Sequence, residues 1–89
     1  MHGAEAAARD ADNHRMIPTV ELDLFTDVLE DAIHLASRGQ LSDGYTGLLV
    51  GVERAIELHL AGEPWARDLL ARWRAACADY AQAFGVPLS

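Results

Sequence analysis

A single cysteine, Cys77, rules out an internal disulfide. No Cys/His cluster has the spacing of a zinc site either. A chain of 89 residues is one domain, and a fold of that size buries only roughly 60% of its unfolded surface. Small folds usually need a staple: a disulfide, a metal or association. With the first two missing, self-association or a partner is the expected one.

Long apolar runs are also missing. No segment approaches the roughly 18 residues that a membrane span requires. The opening MHGAEAAARDADNHR is polar, carries acids early and has no apolar centre of a secretory signal. A bacterial cytoplasmic protein with no membrane partner is the default expectation. Lysine is absent, and all seven basic residues are arginine. Together with the abundance of alanine, this reads as genome composition.

Positive charge is scarce. The net charge is −7, of which residues 1–37 carry −6. Phosphate backbones repel such a chain, so nucleic acid is not an expected partner. No glycine-rich phosphate loop, nucleophile elbow or pair of inward carboxylates occurs. The expectation is a protein that is not an enzyme and carries no cofactor.

The sequence is rich in helical periodicity. It predicts an all-α fold, a three-helix bundle with helices over about 20–37, 43–61 and 64–84. Residues 1–17 read as a flexible, acidic, Ala-rich arm and residues 18–89 as the domain. In helix one, Leu22, Phe25, Val28, Leu29, Ala32, Ile33 and Ala36 recur at spacings of three and four. Thr19 is its expected N-cap. Gly39 is its expected stop.

Helix two, with Ser42 or Asp43 as cap, carries two stripes. Tyr45, Leu48, Leu49, Val52, Ile56, His59 and Leu60 form one; Gly44, Gly47, Gly51, Ala55 and Leu58 form the other. So wide an apolar arc predicts contact with neighbours on two sides, hence a central helix. Thr46, Val50, Glu53, Arg54 and Glu57 remain for solvent. Gly62-Glu63-Pro64 makes helices two and three a hairpin. Helix three turns Leu69, Leu70, Trp73, Ala76, Cys77, Tyr80 and Phe84 inward, then closes at Gly85 and Pro87.

Several features point to contacts. A glycine inside a helix costs roughly 0.8–1 kcal/mol against alanine. Gly44, Gly47 and Gly51 share a face, so another backbone is expected to approach it, from a helix of the same chain or a second copy. Phe25, Leu29, Leu58 and half-exposed Trp65 complete the candidate interface. The stripes exceed what a lone bundle of this size needs, which predicts a homodimer forming a larger bundle. Glu21, Asp23, Asp27, Glu30 and Asp31 form an acidic face without a base among them. That face reads as solvated; docking of a basic partner and mimicry of nucleic acid are the sharper alternatives.

Metal ligation has few candidates. Glu30 and His34 lie one turn apart but point outward, whereas helical-bundle metal sites use an inward Glu-x-x-His. His59 lies on the apolar stripe of helix two, where a buried histidine with a hydrogen-bond partner, or one snorkelling at the helix end, is the usual case, and no second ligand is visible. Cys77 reads as an inert core thiol. Arg67, Arg72 and Arg74, interrupted by Asp68, are spread over two faces of helix three and are expected to pair with acids of helix one in a neighbouring subunit or simply to sit in solvent.

The stretch Ala36-Ser37-Arg38-Gly39-Gln40-Leu41-Ser42-Asp43-Gly44-Tyr45 resembles the turn between the two helices of a tetratricopeptide repeat. Gly39, Leu41 and Gly44 fit it, and Leu48 and Gly51 continue it. The resemblance covers about one repeat, and helix two runs a turn beyond that family's roughly 34-residue period. It implies protein binding, without the groove that an array would form. The functional expectation is therefore a small non-enzymatic interaction module: an adaptor, regulator or accessory subunit. A ligand- or metal-binding bundle and an acidic inhibitor are the alternatives.

Overall fold

The computed structural model describes residues 16–86, which form three α-helices and no strand. Helix α1 spans Thr19–Ser37, α2 Leu41–Leu60 and α3 Ala66–Phe84. Short hairpin connections run α2 antiparallel to both neighbours, so α1 and α3 run parallel. The all-α three-helix bundle is as expected. The expected arm, residues 1–17, lies outside the described residues apart from Met16 and Ile17. Ile17 is buried in the core.

The helix ends follow from the backbone. At the end of α1, Gly39 adopts φ +81, and its N–H donates to the Ala36 carbonyl at 3.0 Å. The Gln40 N–H reaches back to Leu35 at 2.9 Å. The end of α2 repeats the pattern: Gly62 has φ +93, its N–H donates to His59, and that of Glu63 donates to Leu58. Only glycine takes that left-handed conformation without strain, which is why both stops were readable.

The helix starts differ from the expected ones. Thr19 is the first residue of α1 instead of its cap, and among the described residues no N-cap side chain caps any of the three helices. Pro18, with φ −56 and ψ 143, presents its carbonyl to the N–H groups of Glu21 and Leu22. α2 begins at Leu41, ahead of Ser42 and Asp43, because the tight Gly39 turn delivers the chain directly into the helix. α3 begins at Ala66: Pro64 and Trp65 lie in a turn closed by an Ala66 N–H to Glu63 carbonyl bond of 3.1 Å.

α2 is the central helix. It packs along both α1 and α3, which touch each other only sparsely. Trp73, Leu48 and Leu69 are the large side chains fully shielded from solvent. Around them the core is built from Ala32, Ala36, Ala55, Ala76, Cys77 and Tyr80. Small side chains let the helices approach closely but bury little apolar area each.

The two stripes of α2 are unequally buried. The glycine-alanine stripe, with Leu48 from the bulkier one, forms the buried line Gly44, Leu48, Gly51 and Ala55. Leu49 is 41% exposed, Leu60 80%, and His59 is also exposed. His59 shares a face with Leu48 and Ala55, yet it sits in the last turn, where the burying neighbours run out.

Candidate functional site

The glycine face of α2 is filled from within the chain. A Cβ on Gly51 would collide with the Trp73 ring. One on Gly44 would collide with the Tyr80 hydroxyl and stand 2.7 Å from the Ala32 carbonyl of α1. At Gly47 the nearest group is a Val28 methyl of α1, at 3.8 Å. Gly44, Gly47 and Gly51 thus seat α1 and α3 of the same molecule. The space at Gly44 also lets the Tyr80 hydroxyl donate to the Leu41 carbonyl at 2.8 Å. Tyr80 stacks on Tyr45 with centroids 6.1 Å apart and meets Phe84 at 4.9 Å. Burial, with the Asp43 charge added, pushes the Tyr80 phenol up.

One acid of the supposed solvated face is internal. Glu21 is 7% exposed and accepts two hydrogen bonds from Arg54 of α2, from Nε at 3.0 Å and Nη2 at 2.8 Å. Those hydrogen bonds hold its carboxyl below the usual glutamate range; burial opposes them and the Arg54 charge assists. The signal was available in the helical phase: Glu21 stands four residues before Phe25 and eleven before Ala32, on the inner face. Asp23, Asp27, Glu30 and Asp31 are exposed as expected.

Among the described residues α1 and α3 barely meet, so the side of the bundle opposite α2 is an open seam there. Phe25 and Trp73 bridge it edge to face, with centroids 4.9 Å apart and planes at 75°. On one side of that bridge is an apolar cleft of about 340 Å³ lined by Leu29, Ile33, Ala76, Asp79, Tyr80, Ala83 and Phe84. On the other, a more polar cleft is lined by Met16, Ile17, Leu22, Asp68 and Arg72. Ile33 is 47% exposed and Met16 63%. Leu22, Phe25, Leu29 and Phe84 are partly buried against the core. A hollow at the α2–α3 hairpin, lined in part by Ile17, Pro64 and Trp65, leaves Trp65 half-buried. Leu58 is half-buried too.

The candidate metal ligands do not converge. Glu30, His34 and His59 are exposed, and among the described residues no group of three or more His, Cys, Asp or Glu side chains could hold a metal ion. Cys77 is buried, and desolvation pushes its thiol up, away from the reactive thiolate. Among the described residues no helix is long and apolar enough to cross a membrane. Compared with protein-family models, curated proteins and solved structures, the chain matches none of them.

Proposed function

We propose that this protein is a small non-enzymatic interaction module that binds protein through the seam between α1 and α3. One observation carries the reading. Among the described residues the bundle closes around α2 on two sides only, leaving Leu29, Ile33, Ala83 and Phe84 around an open cleft. Helices laid along that seam would cover it and enlarge the bundle, since parallel α1 and α3 offer two ridges with a groove between them. The occupant is a second copy or another polypeptide.

A small apolar ligand in the same cleft is the second reading, favoured by its largely hydrocarbon lining. It is the weaker one because few polar groups converge to orient a ligand. Asp79 is the charged side chain in the lining, and the Tyr80 hydroxyl is committed to Leu41.

A photo-activated phenylalanine analogue placed at Ile33, with a control at Asp27, tests the proposal in the cells that make the protein. Covalent protein adducts from position 33 and none from position 27 are expected. Equal capture at both sites, or none at 33, would count against the seam. A stoichiometric small molecule in native mass spectrometry would favour the second reading.

A further inference from the structure

Building on the seam as a protein-binding surface, we infer that its occupant is a second copy of this chain, related by a two-fold axis across the seam with the helices antiparallel. The seam carries a basic side chain toward one end and an acidic one toward the other. Arg72 lines one cleft beside Leu22; Asp79 lines the other beside Ile33. Arg72 and Asp79 are seven residues apart on α3, two turns along one face. Leu22 and Ile33 are eleven apart on α1, three turns along one face.

The Phe25–Trp73 contact sets the relative height of the two parallel helices. The midpoint of Leu22 and Ile33 lies two and a half residues beyond Phe25, and the midpoint of Arg72 and Asp79 two and a half beyond Trp73. Both pairs are therefore centred at the same level. One perpendicular axis there sets Arg72 of each copy against Asp79 of the other, and Leu22 against Ile33. A two-fold interface demands this reciprocity, in which each patch matches its own reversed copy. The parallel alternative, with its axis along the seam, faces α1 with α3 at equal height and sets Ile33 beside Asp79. It is disfavoured for that reason. Asp68 shares the Arg72 end and meets the small Ala83 in the antiparallel arrangement.

Size is consistent with this pairing. Helices of 19 residues are about 28 Å long and about 10 Å wide each. A seam of two such helices offers on the order of 600 Å² per copy, about 1,200 Å² in total, the lower edge of specific interfaces. The dimer is correspondingly expected at micromolar concentrations and above.

Charge exchange tests the arrangement in the full chain. Sedimentation equilibrium from about 1 to 100 μM would compare the wild type, Arg72→Asp, Asp79→Arg and the double exchange, with circular dichroism confirming the fold. All these positions are exposed. The expected result is a wild-type dimer, weakened about tenfold by each single exchange and restored by the double one, because a like-charge contact is made and then removed. A wild type that stays monomeric, single exchanges without effect, or a double exchange no better than the singles would overturn the two-fold pairing. If the wild type is monomeric while the probe at Ile33 captures a different protein, or residues 1–15 of its own chain, only the second copy is refuted as occupant. Monomer and no capture together refute the seam itself.

Discussion

The Arg54 guanidinium forks across both carboxylate oxygens of Glu21, at 3.0 and 2.8 Å, and ties the middle of α2 to the first turn of α1. The pair is lopsided: the Glu21 side chain is 9% exposed and that of Arg54 48%. Removing Arg54 therefore strands a desolvated acceptor, whereas the arginine itself has water available.

Arg54→Ala is expected to destabilise the fold by about 1–2 kcal/mol, the cost of an unpaired buried acceptor discounted for the exposed partner. Urea unfolding at neutral pH reads this directly. A loss below about 0.3 kcal/mol would mean that the pair adds little.

The same pair gives a pH dependence with a definite sign. The folded-state pKa of Glu21 is depressed. Its contribution is thus present above the ordinary glutamate pKa and fades as pH falls through the depressed value. Stability should decline toward acid more steeply in the wild type than in Glu21→Gln. Parallel acid limbs would show that Glu21 titrates alike in folded and unfolded chains.

Gly47 and Gly51 should answer alanine in opposite directions. At Gly51 the new methyl meets the locked Trp73 ring, and overpacking of about 1–3 kcal/mol outweighs the gain in helix propensity. At Gly47 it finds a Val28 methyl at ordinary contact distance, so propensity wins and stability rises by up to about 1 kcal/mol. Thermal melts of the two variants decide this, and a stabilised Gly51→Ala would displace Trp73 from its assigned position.

Tyr80→Phe removes the hydroxyl that bonds the Leu41 carbonyl while keeping the ring contacts with Tyr45 and Phe84. A loss of about 1 kcal/mol is expected, with amide exchange speeding up in the first turn of α2. Unchanged exchange there would mean that the bond does not hold that end.

Much of the architecture was legible in the sequence because backbone rules govern it. Gly39 and Gly62 end their helices at positive φ, a conformation few other residues accept, and the inward stripe of α3 from Leu69 to Phe84 is buried or half-buried throughout. Less legible were features that depend on what lies opposite. Glu21 has the helical phase of Phe25 and Ala32, yet its charge suggested solvent; only Arg54 across the helix pair explains its burial. His59 has the phase of Leu48 but lies at the end of α2. Leu29 and Ile33 belong to the apolar stripe of α1, and periodicity alone could not reveal that α3 leaves Leu29 half-buried and Ile33 exposed. Arg72 and Asp79 gain meaning as a pair only once the seam exists.

The central claim is that a second copy covers this seam in solution, and the mass of the intact chain tests it most directly. Light scattering at tens of micromolar should give about twice 9.7 kDa for the wild type and the single-chain value for Ile33→Asp, with both equally helical. A wild type that remains at 9.7 kDa throughout, or an Ile33→Asp variant that dimerises unchanged, would contradict the two-copy account.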